Sequence, residues 1–218
     1  MSFDIDIVFR YGPLLLSGLW TTVYVCALAS LLAVAAGLAA ALLYGLPFRA
    51  VKLLCRAYIE IMRGTPILIL LFILYYGGPS AGLTLEAETV GIVGLGFYGG
   101  GYFAEIFRAG FQSIPPGQIE AARMLGIPRP AIVARIQIPQ MLTLIIPPST
   151  NQVIILTKES ALLSIITVAE LTKNTTQMVN ETFAVVEPYV AVALLYWLII
   201  EGIALAGGAL ERRFSRAS

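Results

Sequence analysis

Histidine is absent from this 218-residue chain, which removes the commonest general base and the commonest metal ligand. The two cysteines, Cys26 and Cys55, lie in or beside apolar stretches, so neither a zinc site nor a disulfide framework is expected. Charged residues make up only 12% of the sequence and the formal net charge is +1, a balance that gives no argument for a nucleic-acid partner. No Gly-x-x-x-x-Gly-Lys-Ser/Thr loop occurs, so work driven by ATP would require a second polypeptide. No nucleophile, base and orienting group fall together, and the chain is not expected to be an enzyme. The opening Met1-Ser2-Phe3-Asp4-Ile5-Asp6 puts acids where a secretion signal carries basic residues, so the first apolar stretch is expected to be retained. Internal repeats and low-complexity tracts are also missing.

What remains is apolar. Hydrophobic residues make up 58% of the chain, well above ordinary soluble domains, and integration into a lipid bilayer follows. Crossing roughly 30 Å of hydrocarbon takes about 20 mostly apolar residues. Five such runs are expected, at about residues 14–46, 51–76, 89–111, 132–157 and 188–210. The second starts amphipathically, is interrupted by Gly64, Thr65 and Pro66, and becomes fully apolar from residue 67. The third carries Gly91, Gly94, Gly96, Gly99, Gly100 and Gly101, which would let neighbouring helices approach closely. The expected fold is an all-α integral membrane protein of about five transmembrane helices, forming one domain over residues 1–218. Residues 158–187 fit no span; they read as a short apolar helix over 161–171 and then a polar outward loop, with a re-entrant or interfacial course in view.

Sidedness follows from the basic residues, because Lys and Arg in short loops favour the cytoplasm. Arg49, Lys52, Arg56 and Arg63 stand between spans one and two or open span two. Arg108, Arg123, Arg129 and Arg135 stand between spans three and four, and Arg212, Arg213 and Arg216 close the tail, which puts 11 of 14 basic residues on one side. The other side keeps Arg10, Lys158 and Lys173 beside Asp4, Asp6, Glu86, Glu88, Glu181 and Glu187. The amino terminus is therefore expected outside and the carboxyl terminus in the cytoplasm.

Between spans three and four lies 117–139, GQIEAARMLGIPRPAIVARIQIP, the sizeable part of the apolar middle built to meet something other than lipid. Pro115, Pro116 and Gly117 break a preceding helix, 118–125 runs in good helix formers, and Gly126 with Pro128 ends it. Glu120 in the first turn and Arg123 near the last suit the helix dipole, and Ala121 and Ala122 leave the middle narrow enough for close approach by another surface. Such a two-turn helix is either a docking peg or a loop helix lying at the headgroups.

Polar residues inside spans are costly, so each invites a role. Glu60 and Arg63 are three apart, as are Glu105 and Arg108, a spacing at which each pair meets on one helix face. All four fall near the cytoplasmic ends of spans two and three, where they act either as a gate of rearranging ion pairs or as static interfacial pairs. Asn151, Gln152, Lys158 and Glu159 form a polar series in the outer half of span four and the turn beyond it. They supply donors and acceptors for a polar solute in a lined cavity, or hydrogen bonds between helices. Pro147-Pro148 is expected to kink span four, and Glu201, alone in the last span, is expected to face other helices.

Several motifs in one order resemble a known family. Glu120-Ala121-Ala122, with Gly126 three residues after Arg123 and an apolar run to Ile138 and Pro139, is similar to the EAA loop of permease subunits of bacterial ATP-binding cassette importers. Arg63-Gly64-Thr65-Pro66, then Gly101-Tyr102-Phe103-Ala104-Glu105-Ile106-Phe107-Arg108, then Ile114-Pro115-Pro116-Gly117-Gln118 resemble the polar amino acid branch, and so does Pro147 with Asn151, Gln152 and Lys158. The resemblance covers roughly residues 18–171. It implies the type I importer permease fold, with a coupling loop at about 115–139 whose helix sits in a cleft of a separate ATPase. Gly117, Gln118, Glu120, Ala121, Ala122 and Gly126 would then make that contact.

The resemblance also implies two such subunits, identical or related, in a bacterial inner membrane, two ATP-binding subunits that hold ATP and Mg, and an external solute-binding protein. Polar or basic amino acids or related compounds are the implied cargo, and five spans are few for a complete pathway, which fits a half-transporter. After the lysine the family usually shows an acidic residue, Thr, Ser and Leu, whereas this chain reads Glu159, Ser160, Ala161 and Leu162. Two other classes stand beside the importer: a secondary transporter driven by an ion gradient, which commonly shows repeated halves, and a membrane scaffold without a pathway.

Overall fold

A computed structural model describes residues 4–215; Met1-Ser2-Phe3 of the opening and Arg216 of the basic tail lie outside the described residues. Helix α1 (Ile5–Arg10) is capped by the Asp4 carboxylate, which accepts from the Asp6 N–H at 3.0 Å. Helix α2 (Gly12–Tyr44) is apolar all round and runs 33 residues, about 50 Å at the helical rise and so longer than the hydrocarbon it crosses. Its buried stripe of Thr22, Val25, Ala29, Ala33, Gly37 and Ala40 recurs every three or four residues, while Leu16, Trp20 and Leu31 face outward. Helix α3 (Arg49–Gly64) ends at Thr65-Pro66, and the next segment, 67–81, leaves it at a bend of 106°. The extended backbone at Thr65 and Pro66 makes that break, as a proline disfavours helical backbone at the residue before it. Helix α4 (Ile67–Phe72) then passes through a π turn (Ile73–Gly77) and a 3-10 turn (Gly78–Ala81).

Helix α5 (Ala87–Gln112) is followed by α6 (Pro116–Met124), α7 (Arg129–Ile132), a π turn (Val133–Gln137) and α8 (Ile138–Glu159). A 3-10 segment (Ser160–Ile166), α9 (Leu171–Thr182) and α10 (Val186–Ser215) complete the order. Among the described residues four helices are long and apolar enough to cross a membrane, and the bent pair 49–64 with 67–81, taken as one span, brings the number to the five expected. Helix α8 runs unbroken through Pro147 and Pro148, so a break in the helix at that pair is not seen.

Packing explains the glycines of α5. A Cβ on Gly99 would stand 2.9 Å from the Ala33 Cβ, one on Gly100 2.9 Å from the Ala36 Cβ, and one on Gly37 2.4 Å from the Phe103 Cβ. Small residues on both helices thus let α2 and α5 touch nearly backbone to backbone, and their contact forms the spine of the core with Leu71, Leu95 and Leu156.

This spine has two chemically distinct ends. At one, Tyr44 of α2, the polar face of α3 and Glu105 and Arg108 of α5 come together. At the other, the Asp4 N–H donates to Glu187 at 3.0 Å, and the Tyr11 hydroxyl donates to Glu181 at 2.8 Å. Helix α6 leaves α5 at the first end and α9 lies at the second.

The stretch 158–187 differs from expectation. A 3-10 segment replaces the expected helix over 161–171, burying Leu163 and Ile166, and the expected polar loop is helix α9. Two features set α9. Glu170 caps it, accepting from the Thr172 and Lys173 N–H groups at 2.8 Å each, and Leu171, Thr175 and Met178 form a buried face at helical spacing. The fully buried Glu170 also accepts from the Tyr196 hydroxyl at 2.9 Å, tying α9 to α10. The segment packs into the bundle end rather than lying on its surface.

Candidate functional site

The structure starts α6 two residues earlier and ends it one residue earlier than 118–125 suggests, because Pro116 at the first helical position is preorganised for a helix and lacks only an N–H that had no partner there. Its C-terminal end is a Schellman closure. The Ile127 N–H donates to the Ala122 carbonyl at 3.1 Å and the Gly126 N–H to the Arg123 carbonyl at 2.9 Å, with Gly126 at φ 75°. Ala122 is buried and Ile119 half-buried, which seats α6 on the body of the protein. Gly117, Gln118, Glu120, Ala121 and Gly126 are exposed, and beside them Met124 and Leu125 are 89% and 79% exposed. The capped helix end thus presents two bare apolar side chains and one carboxylate. Gln118 also accepts from the Gln140 amide at 2.7 Å, which fixes α6 to the start of α8.

The four charges flagged near the ends of spans two and three share one cavity of about 320 Å3, lined also by Tyr44, Arg56 and Ile59. Their pairing differs from expectation. Arg108 binds both oxygens of Glu105, its Nε donating to Oε1 at 3.1 Å, as the three-residue spacing suggests. Glu60 pairs instead with Arg56, whose Nε donates to it at 2.7 Å. Arg63 turns away to α5, 3.9 Å from Glu105 and with its guanidinium 5.6 Å from the centre of the Tyr102 ring. The reason is geometric: Arg56 stands one turn before Glu60, leaving Arg63 free to lie over an aromatic face. Tyr102 and Arg56 were not singled out from the sequence, although the four-residue Arg56–Glu60 spacing was visible there.

The polar series of span four is divided. Gln152 is buried and Glu159 half-buried, two turns apart on the inward side, whereas Asn151 and Lys158, also two turns apart, are exposed. These four side chains therefore do not converge within one chain. Among the described residues the Gln152 amide nitrogen is a buried donor without a hydrogen-bond partner, a costly state for a polar group. Glu201 lies on the exposed side of α10, away from the other helices of this chain.

Comparison with known proteins agrees with this architecture. Residues 21–216 match the family described as binding-protein-dependent transport system inner membrane components. A probable glutamine ABC transporter permease protein of Bacillus subtilis (strain 168) is 32% identical over 218 residues, covering 98% of this chain and 99% of the relative. A solved amino acid ABC transporter, crystallised with histidines, superposes with a TM-score of 0.90 at 36% identity, covering 98% of this chain and all of that one. An inward-facing methionine ABC transporter shares the fold at a TM-score of 0.80 and 22% identity, over 94% of this chain and 98% of that one. The type I importer permease fold is thereby shown, and neither a gradient-driven carrier nor a scaffold is supported. The chain belongs to the family of binding-protein-dependent transport system inner membrane components, the multi-pass permeases of ATP-binding cassette importers.

Proposed function

We propose that this permease works as one of a pair, identical or related, with two cytoplasmic ATPases and an external solute-binding protein, to import polar or basic amino acids. The observation that carries the reading is α6, a capped helix held between two crossings with Glu120, Met124 and Leu125 bare. Each ATPase receives this helix, with Gly117, Gln118, Ala121 and Gly126 shaping the contact and the buried Ala122 seating the helix on the permease, and ATP and Mg stay in the partner. The basic-residue count supports an outer amino terminus, a cytoplasmic carboxyl terminus and a cytoplasmic α6.

A second permease subunit is supported by Glu201. It lies midway along α10 on an exposed face shared with Leu194, Trp197, Leu198 and Leu205, and a carboxylate at that depth requires protein or water beside it. The exposed Asn151 and Lys158 would likewise meet that neighbour, while Gln152 and Glu159 offer an amide and a carboxylate to an ammonium or a cationic side chain. At the cytoplasmic end Glu60, Arg63, Glu105 and Arg108 form a gate whose ion pairs exchange between inward and outward states.

The test is reconstitution with the partner ATPase and the cognate binding protein in liposomes, with ATP hydrolysis measured against a panel of amino acids. Stimulation by polar or basic members is expected. Hydrolysis unmoved by every amino acid overturns the amino acid assignment, and failure to co-purify with any ATPase overturns the coupling.

A further inference from the structure

Three guanidiniums face two carboxylates in the cavity bounded by α2, α3 and α5. Arg56 is matched by Glu60 and Arg108 by Glu105, so the surplus charge belongs to Arg63, whose side chain stays 45% exposed. Its carboxylate neighbour is beyond hydrogen-bond distance and its other contact is a ring face. A guanidinium held in that way keeps donors for a ligand, and its planar fork matches two oxygens of one phosphate group.

The surroundings add to the charge. Arg49 and Lys52 follow the same polar face of α3 as Arg56 and Arg63, with Glu60 the one acid on that helix. Beside this face Leu53 is 68% exposed, and on the opposite side of the helix Leu54 and Ile61 are 70% and 54% exposed. In a membrane protein, an amphipathic helix with a cationic face on one side and bare aliphatic side chains on the other lies where headgroups meet acyl chains. A zwitterionic headgroup would bring its own cation and cancel the gain, whereas a net anionic one neutralises the surplus.

We infer that this cavity binds the phosphate ester of an anionic phospholipid headgroup, with Arg63 as its first ligand and the acyl chains passing Leu53 toward the aliphatic side of α3. Arg56 and Arg108 turn partly from their carboxylates to share the phosphate. The site bridges α3 to α5, so an occupied cavity holds the 106° corner of the second crossing against the central helix.

The experiment uses the permease assembled with its ATPase in detergent micelles. Its thermal midpoint is followed against short-chain phosphatidylglycerol, phosphatidylcholine of equal chain length, and inorganic phosphate. Phosphatidylglycerol is expected to raise the midpoint saturably and the other two to do little. Arg63→Gln should weaken the response about tenfold, the loss of one charge-assisted pair, and Arg63→Lys should restore part of it. If Arg63→Gln does not assemble, Arg56→Gln, at a side chain 67% exposed, carries the same expectation of weakening. An unchanged phosphatidylglycerol response in the variant that assembles, or equal effects of the two lipids, overturns the site. Inorganic phosphate acting as strongly as phosphatidylglycerol replaces the lipid with a free anion. Amino acid stimulation of hydrolysis, read on the same complex, reports the transport function separately.

Discussion

The Ile127 N–H donates to the Ala122 carbonyl at 3.1 Å, folding the chain back under α6 with Gly126 in the left-handed region between them. A Cβ at Gly126 meets nothing within 4 Å, so the cost of a side chain there is backbone strain alone, about 1 kcal/mol. Gly126→Val should therefore tilt or fray the end that carries Met124 and Leu125 and reduce solute-stimulated ATP hydrolysis. Gly126→Asn, which tolerates this conformation, should retain most of it. Equal activity of the two variants would contradict a role for the cap.

Helix contact through glycine gives a second prediction. At Gly37 an added Cβ falls 2.8 Å from the Ala104 backbone nitrogen, while at Gly202 it meets nothing within 4 Å. Overpacking a closely seated helix pair costs roughly 1–3 kcal/mol. Gly37→Ala should lower the thermal midpoint of the purified protein clearly and Gly202→Ala should leave it near wild type. A midpoint unchanged in Gly37→Ala would mean that α2 and α5 do not pack as described.

Much of this was legible beforehand, and what was not has physical causes. The five crossings and α6 rest on local signals, apolar run length and proline and glycine punctuation, so they survive folding with shifts of a residue or two. The Arg63 contact depends on which helix lies opposite, and the sequence shows only the neighbours along α3. Helix α9 was hidden because its polar composition masked the Leu171, Thr175 and Met178 face, although Glu170 before Thr172 and Lys173 was a capping signal in plain view.

Charge exchange at the cytoplasmic end predicts a split between hydrolysis and uptake. Arg63→Gln releases Glu105 and Tyr102 from one cation, and Arg108→Gln removes the two-point pair on Glu105. Each variant should raise unstimulated ATP hydrolysis and lower amino acid uptake per ATP in proteoliposomes. Unchanged coupling in both would leave the pairs static and remove the gate.

The outer end carries a pH prediction. Hydrogen bonds from Gln177 and then Tyr11 hold the Glu181 carboxyl below its ordinary value, and the bond to Glu181 pushes the Tyr11 hydroxyl up. A depressed carboxyl stabilises the fold above its unfolded value and loses that contribution as pH falls through the folded one. The α1–α9 contact should thus be indifferent to pH from about 6 to 8 and weaken below about 4. Hydrogen exchange at α9 in wild type and Tyr11→Phe tests it: the difference between them should be present at neutral pH and vanish in acid. A difference that grows in acid would reverse the sign.

Coupling through α6 is the central claim, and site-specific cross-linking tests it most directly. Both native cysteines are buried, so Met124→Cys, at a side chain 89% exposed, and Phe183→Cys, at one 86% exposed, introduce addressable thiols at opposite ends of the bundle. In inside-out vesicles containing the assembled transporter, a short bifunctional reagent should join Met124→Cys to the ATPase and leave Phe183→Cys untouched. A cross-link from Phe183→Cys, or a Met124→Cys thiol reached only from the outer face, would contradict the account.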